Sequence, residues 1–151
     1  MAKEIERKFL VDKDSLPKLT NPHHIIQGYI PSSHATIRVR ISNDKAFLTL
    51  KGKTKGITRS EFEYNIPLSD AKEILQELCI SPYIEKKRYD IYIGKHKWEI
   101  DIFEGNHQGL IIAEIELSSE DESFEKPIWI TKEVSGDYRY SNAYLSQHPL
   151  A

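Results

Sequence analysis

Cysteine is almost missing from this chain. One residue in 151, Cys79, rules out an internal disulfide and fits a reducing cytoplasm. Long apolar runs are missing too. None approaches the ~20 residues that a membrane-crossing helix needs, so no membrane association is expected. The opening MAKEIERKF is charged from the third residue and has no apolar segment of the kind that directs secretion. Neither charge is in large excess: 21 lysines and arginines face 23 aspartates and glutamates, a formal net charge of −2. Nucleic-acid binding usually needs a basic surplus, so that partner class is not expected either. There is no internal repeat, low-complexity tract or linker. With 39% hydrophobic and 29% charged residues, the chain is expected to form one globular unit over 1–151, in the cytoplasm.

Strand-like alternation dominates what is there. It predicts strands over 3–11, 24–30, 36–42, 46–51, 59–66, 83–93, 97–104 and 110–117, separated by the turn signals PSSH, SNDK, GKTKG, IGKH and EGNHQG. One stretch departs from this. PLSDAKEILQELC places Ala71, Ile74, Leu75 and Leu78 at helical spacing. It predicts a helix over 70–79 with Ser69 as its N-cap. Ser141 or Asn142 is expected to cap a short final helix. Eight short-spaced strands and few helices give a mainly β, α+β fold, an antiparallel barrel or sandwich.

Successive side chains on a strand point to opposite faces. In strand after strand, one face is apolar and the other fully ionised. Glu4, Glu6 and Lys8 oppose Ile5, Arg7 and Phe9. Arg38 and Arg40 oppose Ile37, Val39 and Ile41. Lys51 opposes Leu48 and Leu50, and Glu61 and Glu63 oppose Phe62 and Tyr64. Lys86 and Arg88 oppose Lys87 and Tyr89, Glu99 and Asp101 oppose Trp98 and Ile100, and Glu114 and Glu116 oppose Ala113 and Ile115. An antiparallel sheet with one solvated face explains any one of these strands. It does not explain why these positions carry almost only full charges, sorted by sign along each strand. Like charges side by side repel. If the charged face lines the inside of a closed barrel, it must hold a ligand of both signs, because unpaired buried charge is too costly. Basic pairs suit a polyphosphate, and acidic pairs suit a hard divalent cation, Mg2+ or Mn2+ in its place.

The stretch Glu4-Ile5-Glu6-Arg7-Lys8 resembles the E-x-E-x-K signature of the CYTH superfamily, the triphosphate tunnel metalloenzymes. Further matches follow in order: Arg38-x-Arg40, Lys51, Glu61-x-Glu63, Lys86-x-Arg88, Asp101 and Glu114-x-Glu116, with the tail EVSGDYRYSNAYL similar to that of small bacterial members. The resemblance covers essentially the whole chain. It implies an eight-stranded antiparallel closed tunnel with a charged lumen and a few helices outside. It also implies a divalent metal and a small-molecule triphosphate. Members act on inorganic, thiamine, nucleoside or RNA 5′-triphosphates, and some are adenylate cyclases. The short bacterial members point to inorganic tripolyphosphate first. Carried over by resemblance, Glu4, Glu6, Glu114 and Glu116 hold the metal, and Asp101 contacts metal-bound water or orients basic neighbours. Lys8, Arg38, Arg40, Lys51, Lys86 and Arg88 clamp phosphate oxygens. Lys86 or Glu63 activates water, Glu61 assists, and Tyr29 in QGYI faces the tunnel.

Other signals are weaker. GKT at 52–54 lacks the earlier glycine of a P-loop, since Phe47 stands there. The six histidines have no metal-ligand spacing. Lys132 is a further candidate to reach the tunnel from the tail. An adenylate cyclase, a non-catalytic polyphosphate-binding module and a ligand-free solvated sheet are the competing expectations. The apolar outer face needs a cover, from helices or from a second copy in a homodimer.

Overall fold

The computed structural model describes residues 2–148; Met1 and 149–151, part of the expected 1–151 unit, lie outside the described residues. The alternating stretches form nine strands: β1 (Lys3–Val11), β2 (His23–Ile30), β3 (Thr36–Ser42), β4 (Lys45–Lys51), β5 (Thr58–Ile66), β6 (Ile80–Ile93), β7 (His96–Phe103), β8 (Ile111–Glu116) and β9 (Ile130–Glu133). The two α-helices are α1 (Leu68–Leu78) and α2 (Asn142–Gln147). Eight strands close an antiparallel barrel in the order β1-β8-β7-β6-β2-β3-β4-β5. The seam between β5 and β1 is short, pairing Lys3–Ile5 with Thr58–Ser60. Beyond it β1 takes a different partner, β9, which pairs at Phe9 and Val11. This ninth strand was not expected from the sequence.

The charged face points inward and the apolar face outward, and the chain covers its own outer face in two places. On one side α1 buries Ala71 and Leu75 against Val39 and Ala46 of β3 and β4. Gly28 permits the close approach, since a Cβ there would come within 2.8 Å of Leu75 Cδ2 and 3.0 Å of Cys79 Cβ. The helix starts two residues earlier than expected, with Pro67 rather than Ser69 in the cap position. The Ala71 N–H donates to the Pro67 carbonyl at 3.0 Å, so Ser69 falls within the first turn. A proline loses nothing at a helix start, where its missing N–H would be unpaired anyway.

On the other side, Leu117, Phe124 and Trp129 pack over Phe9, Trp98, Ile100 and Ile115. Trp98 and Trp129 meet edge to face with centroids 5.4 Å apart. Arg7, a charge on the outer face, stacks over Phe124 and donates from Nε to Glu133 at 2.8 Å. Phe62 and Tyr64 on β5 stay exposed.

At one end of the barrel the inward positions turn from charged to apolar: Leu10, Ile84, Phe103 and Ile112. Leu145 of α2 inserts among them, so this end is filled by a small apolar core. Ser141 caps α2 as expected, accepting from the Tyr144 N–H at 3.2 Å. No helix among the described residues is long and apolar enough to cross a membrane.

Candidate active site

The barrel encloses a cavity of about 350 Å³ whose wall carries both signs of charge. Inward residues of β1, β5 and β8 supply the acidic side. One carboxylate oxygen from each of Glu4, Glu6 and Glu116 lies within 4.8 Å of the others. Burial and the neighbouring Glu114 push Glu6 up to about 8, and burial pushes Glu116 up to about 7. The three carboxylates therefore resist being ionised together, and a cation between them removes the conflict. An all-oxygen donor set of this kind fits a hard divalent ion such as Mg2+. Glu4 differs from the other two. Burial pushes its pKa upward, but Lys51 and Arg59 outweigh that and hold it well below the usual carboxylate range. Lys51 Nζ donates to Glu4 Oε2 at 2.9 Å and Arg59 Nε to Oε1 at 3.0 Å.

Arginines from β3 and β6 supply the basic side. Arg40 donates from Nε to Gln27 Oε1 at 2.7 Å and has no carboxylate partner among the described residues. Burial, then Arg38 and Arg88, pull it down to about 9. Arg38 and Arg40 crowd against Arg88 with too little negative charge beside them, whereas Arg88 itself is paired with Asp101 and Glu99. Arg38 pairs loosely with Glu63 at 3.5 Å, and its buried Nε has no partner. These are the signs of an anion site. Because Arg40 can only donate, the Gln27 amide must turn its oxygen there and its nitrogen to Tyr29, whose hydroxyl accepts at 2.8 Å. The hydroxyl proton of Tyr29 is then free for the lumen.

Lys8, Tyr29, Arg38, Arg40, Lys51, Glu61, Glu63, Arg88, Glu114 and Glu116 line the cavity together with Glu4 and Glu6. Two expected residues do not. The side chains of Lys86 and Asp101 are fully buried behind the lining. Asp101 accepts from Lys86 Nζ at 2.8 Å and from Arg88 Nε and Nη2 at 2.7 and 2.8 Å. Both its oxygens accept from cations, and Asp101 lies outside the acidic trio. Burial pulls the Lys86 amine down to about 7 despite the attraction of Asp101. Glu114 also stands outside the trio, 3.9 Å from Lys8. Lys132 is exposed on β9.

Arg59, Gln27 and Asn142, in or behind the wall, were not among the site residues expected from the sequence. Arg59 has the same strand parity as Glu61 and Glu63, so alternation carried its signal. Gln27 carries no charge, so the pattern of charged strand faces does not mark it. Asn142 comes from α2, off the strands altogether.

The CYTH domain model matches residues 2–146. This chain belongs to the CYTH domain family. It is 48% identical over 150 residues to an inorganic triphosphatase of Acetivibrio thermocellus, covering 99% of this chain and 96% of the relative. An inorganic triphosphatase of Nitrosomonas europaea is 34% identical over 148 residues, covering 95% and 96%. A crystal structure of an inorganic triphosphatase superposes with a TM-score of 0.70 at 31% identity, covering 100% of this chain and 99% of that one.

Proposed function

We propose that this chain hydrolyses inorganic tripolyphosphate to pyrophosphate and phosphate inside the barrel, with Mg2+ (or Mn2+ in its place), in the cytoplasm. The observation that carries the proposal is one lumen in which the Glu4–Glu6–Glu116 trio faces the under-neutralised guanidiniums of Arg38 and Arg40. Relatives of nearly the same length named inorganic triphosphatase support the choice of substrate.

Glu4, Glu6 and Glu116 would hold the metal. When bound, the ion offsets phosphate charge and polarises the phosphoryl oxygens. Arg38, Arg40, Arg88, Lys8 and Lys51 bind phosphate oxygens, and the Tyr29 hydroxyl donates one further hydrogen bond. Water attacks a terminal phosphorus, the anhydride P–O bond breaks, and pyrophosphate leaves with the bonding electrons. Fixed guanidiniums stabilise the charge that develops on the transferring group. The water proton needs an acceptor that reaches the lumen. Glu63 does, held in place by the Thr49 hydroxyl, which donates to it at 2.9 Å. Lys86 acts from behind the wall as a buried positive charge anchored by Asp101.

The test is phosphate release from tripolyphosphate, pyrophosphate, ATP and thiamine triphosphate, each with and without Mg2+. Mg2+-dependent release from tripolyphosphate, with pyrophosphate spared, is expected. No release from any triphosphate, or formation of cyclic AMP from ATP, would overturn the proposal.

A further inference from the structure

Asn142 stands between Lys86 and the lumen. Lys86 Nζ donates to Asn142 Oδ1 at 2.8 Å, as it does to Asp101. Lys86 is buried, whereas Asn142 lines the cavity beside Ser141 and Ala143. Lys86 Nζ donates, so it is the amide oxygen of Asn142 that faces Lys86. That choice fixes the other half of the amide: its NH2 group is turned away from Lys86, and no acceptor takes its protons among the described residues. The backbone that carries this side chain is held on both flanks. Ser141 caps the helix, with its own hydroxyl donating to the Tyr138 carbonyl at 2.7 Å, and Leu145 is seated in the apolar end of the barrel.

We propose that Asn142 is a substrate-contacting residue: its amide oxygen holds the Lys86 ammonium, and its amide N–H donates to a phosphate oxygen in the lumen. This rests on the triphosphatase assignment of the same lumen. A neutral amide polarised by a buried cation is a stronger donor than a free one. It also lets Lys86 act on the phosphate chain without leaving its partners. The C-terminal helix is then part of the binding site as well as its end wall.

Two full-length variants test this, Asn142→Ala and Asn142→Asp, by KM and kcat on tripolyphosphate with Mg2+ and by melting temperature. Asn142→Asp keeps an oxygen for Lys86 but replaces the donor with a second negative oxygen facing the phosphate. KM is expected to rise about tenfold in Asn142→Ala and further in Asn142→Asp. Asn142→Asp is expected to melt at or above Asn142→Ala, because Lys86 keeps a partner. A role confined to the helix would make activity follow stability. Unchanged KM in both variants, or activity losses ranked as the melting temperatures are, would overturn the contact. If the unaltered chain hydrolyses no triphosphate, the activity assignment fails by itself. The contact is then read from the rise in melting temperature that tripolyphosphate alone produces. That rise must be present in the unaltered chain and lost in Asn142→Asp; its absence from the first or its survival in the second overturns the contact.

Discussion

Asp101 illustrates how single residues make this lumen. It is fully buried with one lysine and one arginine, and its carboxylate is matched on both oxygens. Removing one member of such a group leaves buried charge without a partner. Asp101→Asn should therefore cost about 3 kcal/mol, lowering the melting temperature by about 10 °C. Burial pushes Asp101 upward, but Arg88 and Lys86 outweigh it and hold the carboxyl far below the usual range. A depressed pKa contributes stability that is present above the unfolded value, near 4, and fades as pH falls through the folded one. The gap between the unaltered chain and Asp101→Asn should narrow as pH falls below about 4, where the Asp101 contribution fades. A gap that widens as pH falls below about 4 would contradict the pairing. Strand parity alone identified Asp101 as inward-facing. It did not tell that both oxygens are spent on cations, because cross-strand contacts depend on register: Arg88 stands opposite Asp101 only once β6 and β7 are aligned.

At the scale of elements, the charged interior puts the burden of hydrophobic burial on the outside of the barrel. The main apolar cores lie under α1 and under the segment around Phe124 and Trp129. The seat of α1 is tight at Gly28, where any Cβ meets Leu75, Cys79 and Tyr83. Gly28→Ala should destabilise the protein by about 1–3 kcal/mol through overpacking, measurable by urea denaturation. It should do so without changing the KM for tripolyphosphate, since Gly28 does not line the lumen. A stable variant with raised KM would mean that α1 helps shape the site. The helix and eight strands were legible because their periodicities, 3.6 and 2, persist over many residues. The strand β9 was not, because four residues at one edge carry too little alternation. The apolar end of the barrel was missed for a different reason. Leu10, Ile84, Phe103 and Ile112 share the parity of the charged residues, and only the placement of α2 explains why that face changes character.

At the scale of the whole molecule, a closed antiparallel ring turns a repulsive pattern into a binding site. Most strands pair like charges on the inward face, and closure sets the acidic pairs across from the basic ones. The charges that remain poorly matched are Glu6 and Glu116 of the acidic trio and the arginines of β3. That residual imbalance calls for a cation and an anion at once, which a metal–triphosphate complex supplies. The most direct measurement is the Mg2+ dependence of phosphate release from tripolyphosphate, in the unaltered chain and in Glu6→Gln. No release is expected without Mg2+, with saturation as Mg2+ is added. Glu6→Gln is expected to need at least about tenfold more Mg2+, since one ligand of the trio has lost its charge. Release without any divalent metal, or an unchanged Mg2+ requirement in Glu6→Gln, would contradict this expectation.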